Sequence, residues 1–198
     1  LLPIEKEEIL ENIKTYIEYQ IKNQGDFAPY RLELGFGYNK VFNLDTAKDI
    51  YLCGKIDRID MDPSGKIVVF DYKNSWTPDI NHIKEGTNFQ MPLYIMATEK
   101  LLGKPVSGGA FISMKKGKVD NILVRDRDLP FVSKRRRKGV LSNEEWDNLM
   151  NKVMDNIRFY VENIRDAKFP VEPKKCPKID RYGSFCDFTR VCPFEGVE

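Results

Sequence analysis

The feature that most constrains this chain is a segment in which two strand-like stretches flank a tight turn. Residues 54–60 read Gly-Lys-Ile-Asp-Arg-Ile-Asp, residues 68–73 read Val-Val-Phe-Asp-Tyr-Lys, and Met-Asp-Pro-Ser-Gly-Lys begins the connection between them. Asp at the first corner of that connection, Pro at the second and Gly at the last fit a type I turn closed by a left-handed glycine. The sequence therefore predicts a β-hairpin in which Asp62 pairs with Lys66.

The register of this hairpin decides which side chains meet. Counting back from the turn, Ile59 pairs with Val69, and Asp57 lies opposite Asp71. Directly paired residues share a face of the sheet, with side chains about 5 Å apart, and Lys73 shares that face because it lies two residues beyond Asp71. A two-residue loop would shift the register by one and separate the carboxylates. The turn therefore predicts two carboxylates and an ammonium group on one face.

Two carboxylates this close repel each other unless a cation lies between them. A hard divalent cation such as Mg²⁺ binds one or two carboxylates and keeps waters and substrate phosphates as its other ligands. An ammonium group beside the ion, here that of Lys73, can orient a nucleophilic water or stabilise developing phosphate charge. The alternative is a half-exposed hairpin with a surface salt bridge, and the Asp-x-Lys spacing alone leaves both interpretations open.

A helix predicted from about Phe89 to Leu102 carries the next candidate residues. Pro92 is tolerated in its first turn, where the backbone N–H groups have no helical partners. Gln90 and Tyr94 are four residues apart and therefore lie on one face. In the functional interpretation, this face of the helix lies against the hairpin, and its two side chains support the substrate. The alternative is a buried glutamine and a core tyrosine.

Taken in order, these motifs resemble the PD-(D/E)XK nuclease superfamily in its RecB/AddB-like branch. Gly-x-x-Asp-Arg-Ile-Asp, a turn and Asp-Tyr-Lys are followed by Gln-x-x-x-Tyr, and the resemblance runs from about Glu33 to the C-terminal cysteines. It implies an α/β fold with a restriction-endonuclease-like mixed β-sheet flanked by helices. It also implies hydrolysis of phosphodiester bonds in DNA that depends on Mg²⁺ or Mn²⁺.

The resemblance implies a role for each candidate residue. The implied metal ligands are the carboxylates of Asp57 and Asp71, the backbone carbonyl of Tyr72 and, unless it is a solvated strand residue, Glu33. The implied catalytic residues are Asp57, Asp71, Lys73, Gln90 and Tyr94. Members of this branch often carry a metal-binding histidine upstream of the hairpin, whereas the only histidine here, His82, follows it.

The C-terminal tail contains three of the four cysteines, Cys176, Cys186 and Cys192. The last two, with five residues between them, resemble the end of the AddB-type iron–sulfur motif, but the nine residues between Cys176 and Cys186 depart from the family spacing. A cluster ordinarily needs four thiolates, and the resemblance places the fourth cysteine before Leu1. We therefore expect a 4Fe–4S cluster in a longer native chain. The alternatives are a zinc site and free thiols.

Composition agrees with a globular domain that carries an appendage. The chain has 198 residues, of which 41% are hydrophobic and 31% charged, and we predict a nuclease-like core over residues 1–170 and a tail packed on it over residues 171–198. An apolar stripe predicts a helix from Pro3 to about Asn23, with Ile9, Ile13, Tyr16 and Ile17 on one face. No apolar run approaches the ~20 residues of a membrane span, and no signal peptide is visible, so we expect a cytoplasmic protein.

We expect a metal-dependent DNA nuclease domain of a RecB/AddB-type helicase–nuclease in DNA repair, with exonuclease favoured over endonuclease. The expected partners are a single-stranded DNA end and a helicase domain or subunit. The net charge of +2 neither demands nor excludes nucleic acid, and the basic run 134–138 is either a solvated loop or a phosphate-tracking one. Two alternatives remain: a catalytically silent DNA-binding or structural module on the same fold, and an unrelated interaction domain.

Overall fold

A five-stranded mixed sheet and its flanking helices make up the computed structural model, which describes residues 3–37, 51–74, 76–136 and 138–169. The elements in chain order are α1 (Pro3–Asn23), β1 (Ala28–Phe36), β2 (Gly54–Met61), β3 (Ile67–Lys73), α2 (Ile80–Lys84), α3 (Gln90–Leu102), β4 (Val106–Ser113), β5 (Lys118–Val124) and α4 (Asn143–Arg165). The chain divides into two compact units, Leu1–Arg158 and Phe159–Glu198. The first contains the whole sheet, and the described part of the second is the end of α4 and the few residues after it.

The strands follow one another across the sheet in the order β1-β2-β3-β4-β5. Neighbouring strands are antiparallel except for β3 and β4, which are parallel. A parallel pair needs a crossover connection, and α2 and α3 supply it. The architecture is therefore the mixed α/β fold that the sequence predicts. Within the described residues, no helix combines the length and apolarity needed to cross a membrane.

The β2–β3 hairpin has the predicted register. Ile59 pairs with Val69, and the Asp62 N–H donates to the Lys66 carbonyl at 3.1 Å. Gly65 adopts the left-handed conformation, with φ at 87°, which glycine reaches without steric cost. The described pairing ends at Arg58 and Phe70. One further step in the same register sets Asp57 opposite Asp71, so the local turn chemistry is enough to align the two carboxylates.

The alternation of side chains along β2 and β3 gives the sheet two different faces. The acidic face carries Asp57, Asp71 and Lys73. The arginine face carries Arg58 and Asp60. Helix α1 covers the arginine face, and helix α3 covers the acidic face.

Helix α1 covers the arginine face with aromatic residues. The apolar cluster on this face contains Phe27, Val68, Phe70, Ala110, Ile112, Val119, Ile122, Val124, Leu129 and Val132. Tyr16 and Tyr19 of α1 pack against it, whereas Ile9, Ile13 and Ile17 are 40–50% exposed. The predicted apolar stripe is therefore wrong for its isoleucines, whereas Tyr16 of the same stripe does pack on the sheet. The sheet offers polar partners beneath α1, and tyrosines satisfy these while still burying their rings.

Helix α3 approaches the acidic face closely because a glycine lies beneath it. A Cβ atom added to Gly109 of β4 would lie 2.2 Å from the Met91 Sδ atom, a distance that no side chain tolerates. Met91 and Ile95 are fully buried at this contact. The contact fixes the first turn of α3 over the sheet, next to the end of β3.

Candidate active site

Asp71 is the centre of the candidate site. It is only 2% exposed, and its Oδ1 atom accepts a hydrogen bond from the Gln90 amide at 2.9 Å. The Lys73 ammonium forms an ion pair with Oδ2 at 2.7 Å. Among the residues that the structure describes, Oδ2 is the one buried side-chain polar atom without a hydrogen-bond partner. Buried carboxylates are normally fully satisfied, so Asp71 has acceptor capacity to spare.

The surroundings of Asp71 favour its neutral form. Burial raises the pKa of its carboxyl, the Lys73 ammonium lowers it, and the negative charge of Asp57 raises it. The net result is a pKa above the ordinary value of 3.8. A cation placed between the two carboxylates would offset both of the effects that raise the pKa. Such a shift, caused by burial and a like charge together, is typical of functional sites.

The backbone of β3 orients Asp57. The Tyr72 N–H donates to Asp57 Oδ2 at 2.9 Å, which fixes the carboxylate next to the end of the strand. A carboxylate can accept about four hydrogen bonds or ligand contacts, so this bond leaves capacity for a cation. The predicted role of the Tyr72 carbonyl as a metal ligand stays a prediction.

Gln90 and Tyr94 face the hairpin from α3. The Gln90 amide donates both to Asp71 and to the Tyr94 hydroxyl, the latter at 3.2 Å. The edge of the Tyr94 ring meets Phe36 at 6.2 Å between centroids. Phe36 in turn lies over Gly54, where an added Cβ would be 2.6 Å from the Phe36 ring. Gly54, which begins the Gly-x-x-Asp-Arg-Ile-Asp motif, therefore makes room for the Phe36 ring, and Phe36 supports Tyr94 of the Gln-x-x-x-Tyr motif.

A second polar cluster, which sequence reasoning missed, fixes the same hairpin from the arginine face. The Arg58 guanidinium donates to both Asp60 oxygens, at 2.6 and 2.5 Å, and to the Tyr16 hydroxyl at 2.8 Å. The hydroxyls of Tyr16 and Tyr72 are 2.9 Å apart. The alternating spacing of Arg58 and Asp60 within the motif is the signal that could have revealed a buried pair behind Asp57. This cluster links α1 to the strand residue between Asp71 and Lys73.

The Glu33 carboxylate has a different partner from the two aspartates. Its exposed carboxylate pairs with the Lys55 ammonium. Its backbone adopts φ at 53°, which is unusual for a residue other than glycine. No group of three or more His, Cys, Asp or Glu side chains converges within the described residues. The structure thus brings Asp57, Asp71 and Lys73 together without Glu33, whose role as a further metal ligand stays a prediction.

The donors at Asp57 and Asp71 suit a hard divalent ion. Mg²⁺ is commonly bound through one or two carboxylates and retains water and phosphate oxygens as its other ligands, so a third carboxylate is not required. Within the described residues, Asp71 Oδ2 is contacted by the Lys73 ammonium but accepts no other side-chain hydrogen bond, so it can still accept a ligand contact. The predicted cluster ligands Cys176, Cys186 and Cys192 lie outside the described residues, as does the predicted tail.

A comparison with protein families gives one match over nearly the whole chain. The model described as the PD-(D/E)XK nuclease superfamily matches residues 3–193. That range includes the hairpin, α3 and the tail cysteines. Nucleases of this superfamily generally use divalent metal ions such as Mg²⁺, in agreement with the donor set above.

Curated relatives match shorter stretches of the chain. A protein of Streptococcus pneumoniae strain Hungary19A-6, named as a subunit of an "ATP-dependent helicase/deoxyribonuclease", is 34% identical over 73 residues, which is 36% of this chain and 7% of that protein. The protein of the same name from Clostridium perfringens strain SM101 is 35% identical over 98 residues, 45% of this chain and 8% of that protein. The chain therefore spans less than a tenth of the length of these relatives.

Among solved structures, the chain is similar to one titled "Structure of EndoMS-dsDNA2 complex". The alignment has a TM-score of 0.31 and 16% sequence identity, and it covers 52% of this chain and 34% of that one.

Proposed function

Since the chain belongs to the PD-(D/E)XK nuclease superfamily, we propose that it is a metal-dependent deoxyribonuclease domain of a helicase–nuclease. The observation that carries this proposal is the under-satisfied Asp71 carboxylate, buried between Lys73 and Gln90 and next to Asp57. The relatives named as helicase/deoxyribonuclease subunits support both the deoxyribonucleic substrate and the helicase partner.

The proposed metal ligands are the carboxylates of Asp57 and Asp71 and the carbonyl of Tyr72, with Mg²⁺ or Mn²⁺ as the ion. When bound, such an ion polarises the phosphate and lowers the pKa of a coordinated water. Asp57 is prepared for this role because the Tyr72 N–H fixes its orientation. Asp71 is prepared because burial and the charge of Asp57 raise its pKa despite the Lys73 ammonium, and a bound divalent ion would offset both effects.

Lys73 has the position of a group that orients the attacking water or stabilises charge on the phosphate. Its ammonium is held at the buried aspartate and lies 5.8 Å from the centre of the Phe111 ring, so these two contacts restrain the position of the charge. A restrained charge needs little reorganisation during the reaction, which is the source of its catalytic effect. Gln90 fixes the rotamer of Asp71, and the Tyr94 hydroxyl contacts the substrate backbone.

The finer assignments are part of the same proposal. The proposed substrate is a single-stranded DNA end, the proposed activity is exonucleolytic, and the helicase is on the same polypeptide or on a partner subunit. One similar protein, from Streptococcus pneumoniae serotype 4, is named "Exonuclease/helicase subunit RexB", which supports the exonuclease assignment. We also keep the iron–sulfur cluster on Cys176, Cys186 and Cys192 as a proposal for a longer chain, to be tested by iron and sulfide analysis.

The experiment that tests the proposed function is cleavage of end-labelled DNA by the wild-type chain, Asp71→Ala and Asp147→Ala, with Mg²⁺ and with EDTA. Asp147 is an exposed residue of α4 and serves as the matched control. We expect cleavage by the wild type and the control only, and only with Mg²⁺. Cleavage by Asp71→Ala at the wild-type rate contradicts the proposal. DNA binding without cleavage by any variant indicates a catalytically silent module.

A further inference from the structure

Trp76 is an exposed tryptophan close to the candidate active site. Its side chain is 60% exposed, whereas Trp146, the other tryptophan, is 3% exposed. Trp76 follows Lys73 by three residues, which limits the distance between their Cα atoms to about 10 Å. A large indole left in solvent at this distance from the site is available to a substrate that reaches Lys73.

The segment that carries Trp76 lies over the acidic face of the sheet. Asp71 pairs with Phe111 of β4, and Phe111 pairs with Asn121 of β5, so these three side chains share a face. The Asn121 amide donates to the Thr77 carbonyl at 3.2 Å and to its hydroxyl at 2.9 Å. Thr77, the residue after Trp76, is therefore hydrogen-bonded to Asn121, which lies in the same row of side chains as Asp71.

The indole is held in place although it is exposed. The His82 ring meets it edge to face, with 5.1 Å between centroids and 84° between planes. The Thr77 hydroxyl donates to Asp120 at 2.5 Å, and Thr77 and Pro78 are buried. Trp76 thus projects from an anchored segment and rests against an aromatic neighbour, so little conformational freedom would be lost when a ligand covers it.

Basic side chains lie beside this platform. Asp79 contacts His82 at 3.1 Å and accepts a hydrogen bond from Lys138 at 2.5 Å. Arg136 donates to the Asp120 carbonyl at 2.7 Å. These contacts tie the basic loop, residues 134–136 and 138, to the Trp76 segment. Lys134 and Arg135 in that loop are exposed.

We propose that Trp76 is a base-stacking platform that holds one nucleotide of a single-stranded DNA substrate beside the candidate active site. An exposed aromatic ring next to cations is the combination that binds single strands without sequence preference. The ring stacks on the base, and the basic loop attracts the phosphates. An apolar protein partner is less well matched, because the residues linked to the Trp76 segment are the polar or charged Asp79, His82 and Lys138. The inference rests on the proposed function for its substrate, and its test is made without cleavage.

The test measures binding of an oligothymidylate in EDTA by wild type, Trp76→Ala and Trp76→Phe. We expect Trp76→Ala to bind about 5- to 150-fold more weakly, the range for loss of one stacked base, and Trp76→Phe to lie between. An abasic oligonucleotide of the same length has no base to stack, so wild type and Trp76→Ala should bind it equally. Tyr30→Ala is the aromatic control, because β1 lies at the opposite edge of the sheet from β5.

Tryptophan fluorescence provides a second readout that does not depend on affinity. Oligothymidylate should quench the emission of the wild type but not that of Trp76→Phe, in which only the buried Trp146 remains. Equal affinities of wild type and Trp76→Ala, equal quenching by the abasic oligonucleotide, or no binding by the wild type each overturn the proposal. Cleavage with Mg²⁺ is assayed separately. If the wild type cleaves DNA and Trp76→Ala binds as tightly as the wild type, the platform is rejected and the nuclease function is kept. If oligothymidylate quenches the wild type but no cleavage occurs, the platform is kept and the nuclease function is rejected.

Discussion

Two buried aspartates on the same hairpin have opposite surroundings. Asp60 on the arginine face is 1% exposed, and Asp71 on the acidic face is 2% exposed. Both Asp60 oxygens accept short hydrogen bonds from one guanidinium group, that of Arg58. Asp71 has one hydrogen bond, from Gln90, and within the described part of the chain its second oxygen is held only by the ion pair with Lys73.

The difference separates a structural carboxylate from a candidate functional one. The planar guanidinium of Arg58 matches a carboxylate in a two-bond geometry, so the Asp60 pair is complete and has nothing left to bind. Asp71 is buried at similar depth, yet its charge is compensated only partly, and burial raises its pKa. Equal burial therefore tells little about function. The state of the hydrogen bonds around each carboxylate tells more.

The largest effect that we expect comes from breaking the complete pair. Asp60→Ala leaves the buried Arg58 without its carboxylate, and removal of one partner of a buried pair costs about 3–5 kcal/mol. Urea denaturation measures this loss in the free energy of unfolding. Asp155→Ala, which breaks the exposed pair with Arg158, is the control and should cost no more than about 1 kcal/mol. A loss for Asp60→Ala as small as that of the control would show that the arginine face does not depend on this pair.

A substitution of Lys73 should lower the activity by an amount comparable in free energy to the loss of stability in Asp60→Ala. Its effect on stability should be smaller. Lys73→Ala removes the ammonium beside Asp71, and deletion of a comparable charge-stabilising donor lowers the rate by about 10²–10³. Single-turnover cleavage of end-labelled DNA in Mg²⁺ measures the change. The nearby exposed Lys115→Ala should cleave like the wild type. Activity near the wild-type level in Lys73→Ala would remove this residue from the proposed mechanism.

The smallest effect concerns the stability of the incomplete site in EDTA. Because the pKa of Asp71 is raised in the folded state, its contribution to stability is present below 3.8, its ordinary pKa, and is lost as the pH rises through the folded-state value. Asp71→Asn lacks this titration. The variant should therefore gain stability relative to the wild type as the pH rises from about 3.8 to neutral, as followed by urea denaturation. A difference that stays constant across this range, or one that shrinks toward neutral pH, contradicts the account of Asp71.

The sequence predicted the parts of the site that depend on local rules. Turn chemistry is local, so the left-handed Gly65 and the pairing of Ile59 with Val69 could be read directly. The helical spacing of Gln90 and Tyr94 likewise predicted a shared face, and the Gln90 amide does donate both to Tyr94 and to Asp71 of the hairpin.

The parts that could not be predicted depend on contacts between distant segments. Tyr16 packs in preference to the isoleucines of α1 because Arg58 and Tyr72 offer it hydrogen bonds from the sheet, and periodicity carries no information about such partners. Glu33 lies on a mostly exposed strand, and its backbone geometry and the nearby Lys55 decide where its carboxylate lies.

Titration of Mn²⁺ or Mg²⁺ into the 198-residue chain by calorimetry tests whether Asp57 and Asp71 together hold a divalent ion. We expect one divalent-ion site per chain in the wild type and in Asp147→Ala, and loss of that site in both Asp57→Asn and Asp71→Asn. Binding should also raise the free energy of unfolding by about 2.7 kcal/mol when the ion is at 100 times its dissociation constant. Binding of equal affinity in the wild type and in Asp71→Asn would contradict the account.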